Sequence, residues 1–260
     1  MALLEVERIT LTFKGLAALL SVDFSVEQGE IASLIGPNGA GKTSMLNCIS
    51  GRYHPDSGTI RLNGVELNKV PAHKRSAMGL SRTFQNIALF KGLSVLDNLM
   101  VGRHARMEYS ILSSILYLGR ARKEETEHRR KVEDVIDFLN LSPYRHKIAG
   151  RLPYGVQKRV ELGRALAAQP EMLLLDEPMA GMNLEETEDM ARYILDINEE
   201  WGTTVLLVEH DMGVVMDISD RIVVLDFGRI LARGTPEEVQ KNPEVISAYL
   251  GNEENVFLGR

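Results

Sequence analysis

A compact apolar run, Ile31–Ile35, ends in Gly36-Pro37-Asn38-Gly39-Ala40-Gly41-Lys42-Thr43-Ser44 and passes straight into a helical pattern through Met45, Leu46 and Ile49. Strand, glycine loop and helix in that order fit G-x-x-x-x-G-K-[ST], a loop whose backbone N–H groups point inward at phosphate oxygens. The glycines let the chain wrap that closely, and the positive end of the following helix adds to the attraction. Lys42 is then placed to neutralise the β- and γ-phosphates of a nucleotide, and the Thr43 hydroxyl to hold Mg2+.

The rest of the chain supplies a setting for such a loop. Residues 3–13 and 21–26 carry alternating or β-branched apolar character and read as strands, as do 59–62 and 80–84. From Ser94 the pattern turns helical, with Asp97 three residues on as a capping partner. Val132, Val135, Ile136 and Leu139 form the apolar face of a charged helix over 122–139, whose mixed charges at 120–131 read as a solvated face. An apolar patch lies at 111–118; packing within the helical region suits it better than contact with a membrane subunit. Pro153 opens a further helix over about 154–168. Residues 86–168 are therefore expected to be a mostly helical insertion. Beyond it, 172–175 is wholly apolar, as in a strand covered on both faces. A helix over 184–200 ends at Trp201-Gly202. Strands at 203–208, 221–225 and 229–232 follow, with a short helix at Met212–Ile218. Strands alternating with helices predict an α/β fold with a mainly parallel sheet.

Composition narrows the function classes. The 260 residues are 44% apolar and 25% charged, ordinary for a globular chain with a substantial core. A single cysteine, Cys48, excludes an internal disulfide or a Cys-rich metal site, and its apolar neighbourhood marks it as a packing thiol. Thirty basic residues against 36 acidic ones, with no basic stripe, argue against a nucleic-acid partner. No stretch approaches the ~20 apolar residues that span a bilayer. Charge also enters too early in Met-Ala-Leu-Leu-Glu-Val-Glu-Arg for a secretory leader, so a cytoplasmic chain is expected.

A second chemical element is Leu173-Leu174-Leu175-Asp176-Glu177, an apolar strand delivering acids at its end. After a phosphate loop, Asp176 suits the organisation of magnesium and Glu177 the polarisation of an attacking water. A guanine-specific reading would want Asn-Lys-x-Asp, but Asn68-Lys69-Val70-Pro71 lacks the aspartate. A small-molecule kinase leaves Gln85, Gly155 and His210 unexplained.

Gln85 in Arg82-Thr83-Phe84-Gln85-Asn86 and His210 in Val208-Glu209-His210-Asp211-Met212 complete a pattern spread from Phe13 to about Leu250. With them the chain resembles an ATP-binding-cassette (ABC) ATPase subunit. Pro178-Met179-Ala180-Gly181-Met182-Asn183, the Ile218 to Ile222 segment and the closing Ala248-Tyr249-Leu250-Gly251 bring it nearer to the branched-chain amino acid transport ATP-binding proteins. The resemblance implies one cassette domain, 1–260: a phosphate-loop NTPase and β core at about 1–85 and 169–235, a helical subdomain at about 86–168 and a helical tail at about 236–260. An N-terminal antiparallel β portion belongs to that expectation.

The resemblance also implies roles. Phe13 would stack on adenine, with a core aromatic as the alternative; Gly36, Pro37, Asn38, Gly39, Ala40, Gly41, Lys42, Thr43 and Ser44 would hold the phosphates of ATP. Thr43, Gln85 and Asp176 would hold Mg2+, while Glu177, Gln85 and His210 would form the catalytic set. Leu152, Pro153, Tyr154 and Gly155 stand where the family carries L-S-G-G-Q, the signature that meets the γ-phosphate of a second subunit. Pro153 replaces the serine of that pattern and lacks an N–H donor, so the composite site using this signature is expected to be the weaker of two. Asn183 stands where many cassettes carry aspartate, as expected of the nearer group. Implied partners are transmembrane permease subunits, a second ATPase subunit (a different one favoured, a copy of itself left open) and, indirectly, an extracytoplasmic solute-binding protein. The implied place is the inner face of the cell membrane, peripherally bound. Import of branched-chain or hydrophobic amino acids or related small solutes leads, and lipid export is the alternative. A soluble cassette ATPase of translation or repair would carry modules for which 260 residues leave no room.

Overall fold

The computed structural model describes residues 1–106 and 120–250. The apolar patch at 111–118 and the end of the expected helical tail lie outside the described residues.

Strands β1 (Ala2–Phe13) and β2 (Leu16–Glu27) form an antiparallel hairpin. Only Lys14 and Gly15 separate them, and both have positive φ, 49° and 87°. That is the two-residue turn whose twist matches its flanking strands, and it starts the second strand earlier than the expected residue 21. With β4 (Ser57–Leu62) and β5 (Val65–Glu66), which flank the turn Asn63-Gly64, they make a four-stranded sheet in the order β2-β1-β4-β5.

A six-stranded sheet carries the rest, in the order β10-β9-β3-β8-β7-β6. Strands β3 (Ile31–Ile35), β6 (Leu80–Arg82), β7 (Met172–Asp176), β8 (Thr204–Val208) and β9 (Arg221–Asp226) run parallel, and β10 (Arg229–Gly234) is antiparallel. Every residue of β3, β7 and β8 is buried, which is why these runs are apolar without alternation. The two faces of β7 serve different cores. Leu173 and Leu175 pack with the helices, whereas Met172 and Leu174 pack with Met45, Ile49 and the antiparallel sheet.

Helix α1 (Lys42–Ser50) follows β3 directly, and a short α2 (Ala72–Arg75) precedes β6. Helices α3 (Val95–Arg103), α4 (Arg120–Phe138) and α5 (Tyr154–Ala167) share one core through Val95, Leu99, Val132, Val135, Ile136, Leu139, Val160 and Leu166. Ser94 caps α3 by accepting from Asp97 N at 3.1 Å. The Asp97 carboxylate takes the Ser94 hydroxyl, where a reciprocal capping box would have it take the backbone N–H. On the described part of α4, Glu127, Arg129 and Arg130 are exposed, whereas His128 is buried against Arg103: Arg103 Nε donates to His128 Nδ1 at 2.8 Å. Helix α6 (Leu184–Trp201) begins in a true capping box between Asn183 and Glu186 and stops at Gly202. Helices α7 (Met212–Ile218), α8 (Pro236–Gln240) and α9 (Pro243–Leu250) complete the described chain. Because β3, β8 and β7 lie side by side in parallel, the loops after them emerge together at the carboxyl end of the sheet, where α/β folds bind ligands.

Candidate functional site

The loop from Gly36 to Gly41 turns tightly between β3 and α1. Gly36 has φ 147°, and a Cβ there would stand 2.0 Å from the Leu225 carbonyl oxygen, so only glycine fits. The Lys42 side chain folds back into the loop. Its Nζ donates to Gly36 O at 2.6 Å and Pro37 O at 3.1 Å. Burial lowers the Lys42 pKa, and the nearby charges of Glu177 and Asp176 act in the opposite direction. Helix α1 has no acidic residue in its first turn, so no side chain of its own offsets the positive end that faces the loop.

Strand β7 delivers Asp176 and Glu177 opposite that loop. Asp176 is buried, and its Oδ2 accepts from Arg82 Nη2 at 2.8 Å. Glu177 takes φ 49°, a left-handed conformation that turns the chain away from β7, and its N–H donates to Val208 O at 2.8 Å. Gln85 Nε2 donates to Glu177 Oε2 at 2.7 Å, so these two candidate residues meet directly. Thr43, Gln85 and Asp176 line one cavity of about 390 Å³ with Asn47, Arg52, Arg82 and Phe84. A hydroxyl, an amide and a carboxylate form the hard oxygen donor set that Mg2+ takes, so these residues fit that ion.

The segment around Gln85 is gripped by one face of α5. Lys158 Nζ donates to Gln85 O and to Glu177 O, each at 3.2 Å. Glu161 Oε1 accepts from Phe84 N at 3.4 Å and Ala88 N at 3.2 Å, and Arg164 Nη1 donates to Ala88 O. Burial lowers the Lys158 pKa and raises that of Glu161, with mutual attraction opposing both shifts. Sequence reasoning missed this clasp. Its signal was three charged residues at spacing three, Lys158, Glu161 and Arg164, on one face of the helix.

Glu209 was also missed. Its buried carboxylate accepts from Met179 N at 2.9 Å and His210 N at 3.1 Å, joining the loops after β7 and β8, and burial raises its pKa. His210 itself has 65% of its side chain exposed, with Nδ1 3.6 Å from Glu209 Oε2. Phe13 is 43% exposed and packs edge-on against Tyr53, ring centroids 5.1 Å apart. It is therefore not the core aromatic that was its alternative.

Pro153 occupies the N-cap of α5 with φ −52° and ψ 151°, a position where its missing N–H costs nothing. Leu152 is buried, and its carbonyl accepts from Gln157 Nε2 at 2.8 Å. The Tyr154 hydroxyl donates to Ala180 O at 3.2 Å, and Gly155 packs so tightly on Glu186 that a Cβ would meet Oε1 at 2.2 Å. Residues 152–155 thus lean on the segment after Glu177, while Gly36, Lys42, Thr43, Asp176, Glu177 and Gln85 gather at the carboxyl end of the sheet.

The family model described as "ABC transporter" matches residues 19–180, and "Branched-chain amino acid ATP-binding cassette transporter" matches residues 229–255. The high-affinity branched-chain amino acid transport ATP-binding protein BraF of Pseudomonas aeruginosa is 43% identical over 249 residues, 96% of this chain and 98% of that protein. LivG of Escherichia coli, described in the same words, is 41% identical over the same coverage. A crystal structure of the ADP conformation of an ATP-binding cassette of an ABC transporter superposes with a TM-score of 0.84. It is 33% identical, and the match covers 97% of this chain and all of that one.

Proposed function

The chain belongs to the ABC transporter family, in its branched-chain amino acid transport branch, and on that premise we propose how its residues work and what it moves. It is the ATP-binding subunit of an ABC importer and hydrolyses ATP for transport. The observation that carries the residue assignments is the meeting of Thr43, Gln85 and Asp176 around one cavity, with Glu177 bonded to Gln85 and Lys42 close enough to feel the charges of Glu177 and Asp176. Branched-chain or other hydrophobic amino acids are the proposed cargo, supported by the relatives' full-length match and by the C-terminal match at 229–255.

On binding ATP, the Lys42 ammonium exchanges the Gly36 and Pro37 carbonyls for β- and γ-phosphate oxygens. The amides of the loop and of the first turn of α1 take the remaining phosphate charge, and the exposed face of Phe13 receives adenine. Thr43, Asp176 and Gln85 would hold Mg2+, which supplies charge neutralisation at the phosphates. Glu177 orients and polarises the attacking water, released for that task when Gln85 turns toward the phosphates. His210, exposed at the end of the β8 loop, reaches the γ-phosphate, and Glu209 holds its backbone in place. Catalysis of this kind is positioning and electrostatics around a loose phosphoryl transition state.

The signature residues 152–155 serve a neighbouring ATPase subunit, a different chain being favoured over a second copy. The permease subunits bind this pair at the membrane, and a solute-binding protein acts through them. Among the described residues no helix is long and apolar enough to cross a membrane, which is consistent with peripheral attachment.

Glu177→Gln tests the central assignment. In the complex co-purified with its membrane subunits, ATP binding should persist while phosphate release falls ~10²–10⁴-fold, the usual worth of a positioned base. Turnover at the wild-type rate would remove Glu177 from this role. Recovery of soluble proteins alone, under extraction that preserves control membrane complexes, would overturn the proposed partners.

A further inference from the structure

Arg82 ends β6, three residues before Gln85, and only 7% of its side chain is exposed. Its Nη2 donates to Asp176 Oδ2 at 2.8 Å, and that carboxylate is 4% exposed. Nη1 donates to Asn47 Oδ1 at 2.7 Å and to Ser50 Oγ at 2.8 Å, both on α1. The guanidinium also lies 5.2 Å from the centroid of the Phe84 ring. One cation is therefore anchored to the helix after Thr43, to the acid at the end of β7 and to the segment leading into Gln85. It lines the same cavity as Thr43, Asp176 and Gln85, where a divalent cation would lie.

We propose that Arg82 is a positioning residue for the metal site, a fixed counter-ion that keeps Asp176 paired in the nucleotide-free chain so that a divalent cation enters only together with nucleotide phosphates. This rests on Asp176 being the metal-holding carboxylate. The physical reason is charge. A carboxylate already neutralised at 2.8 Å offers a bare dication little attraction, and the guanidinium repels it through a poorly screening interior. ATP brings its own negative charge and restores the balance. Arg82 does not need to leave, because its anchors on α1 hold it while Asp176 Oδ1 remains for the ion. A planar fork suits this role and an ammonium does so less well, since it cannot span Asp176, Asn47 and Ser50 at once.

The test uses Mn2+ in place of Mg2+, with free Mn2+ read by electron paramagnetic resonance in titrations of the full chain. The wild-type chain should bind Mn2+ with ATP present and show no comparable binding without it. Arg82→Gln and Arg82→Met should bind Mn2+ without nucleotide at least about tenfold more tightly than wild type, the scale on which changing a hydrogen-bond partner of a metal ligand moves metal affinity. Arg82→Lys should restore dependence on nucleotide, because the charge returns. ATP affinity in EDTA, unchanged within about twofold, reports an intact phosphate loop in each variant. Adding Asp176→Asn to Arg82→Gln should abolish the gained binding. Folded Arg82→Gln or Arg82→Met with wild-type behaviour would overturn the proposal, as would nucleotide-free binding in Arg82→Lys at least as tight as wild type with ATP. Asp176→Asn alone separates the two levels. If it leaves Mn2+ binding with ATP intact, the assignment of Asp176 fails; if it abolishes that binding while the Arg82 variants change nothing, only the role of Arg82 fails.

Discussion

Gly36→Ala and Gly39→Ala alter the same loop by the same methyl group and should differ sharply. At Gly36 the new Cβ would stand 2.0 Å from Leu225 O, 3.0 Å from its carbonyl carbon and 3.1 Å from Ala40 Cβ, with φ at 147°. Leu225 O belongs to the backbone of β9, which is paired with β3 on one side and β10 on the other, so it has no room to retreat. Backbone strain of ~1–3 kcal/mol and overpacking of ~1–3 kcal/mol add to a loss of ~2–6 kcal/mol. At Gly39 the φ is 84° and nothing lies within 4 Å of the new atom. Left-handed strain alone remains there, ~1–2 kcal/mol. At roughly 2–4 °C per kcal/mol for a chain approaching this size, Gly36→Ala should melt ~4–24 °C below wild type and Gly39→Ala ~2–8 °C below. Thermal unfolding followed by circular dichroism, then ATP titration of each folded variant, checks the ranking. Gly36→Ala should also lose ATP binding, because a displaced β9 and loop no longer hold the amides in place. Equal melting temperatures for the two variants would refute the close approach of Gly36 to β9.

Gly155→Ala pushes its methyl against Glu186, which completes the cap of α6 by accepting from Asn183 N at 3.1 Å. Losing that cap should cost ~1 kcal/mol, and an unchanged urea midpoint would count against the contact. Cys48 is buried and its thiol is pushed up to about 11, mainly by burial. At pH 8 it should resist a thiol reagent in the folded chain and react in full once urea unfolds it; ready labelling of the native chain would contradict its packing role. Glu161 has a folded-state pKa raised above 4.5, mainly by burial. The stability associated with its protonated form is therefore present below about pH 4.5 and lost as pH rises through the higher folded value. Glu161→Gln should flatten the decline of unfolding free energy with pH above 4.5 relative to wild type, and parallel urea-derived curves would refute this.

The local chemistry of the site was legible because it depends on short-range geometry. A strand, a glycine loop and a helix dipole meet within about 20 residues, so the residues proposed to wrap a phosphate are also neighbours in the chain. Asp176 and Glu177 were equally readable, since a fully buried strand must be apolar until it emerges and an acid at its end marks the edge. The limits of β1 and β2 were less clear. The Lys14-Gly15 turn is a weak signal beside a strand whose first residues, Leu16 and Ala17, are exposed and break the apolar alternation.

What the sequence by itself determined is the chemistry available: a phosphate loop, an acidic strand end, and a glutamine and a histidine in matching surroundings. Only the tertiary structure decided which charges those groups face. Arg82 and Asp176 are 94 residues apart and Gln85 and Glu177 are 92 apart, yet each pair is in hydrogen-bond contact. Lys158 and Glu161 look in sequence like solvated helix charges, but α5 turns them inward against backbone groups that need partners. Periodicity records which face of an element is apolar. It does not record the long-range polar pairings, because these satisfy groups whose burial exists only after the elements have packed.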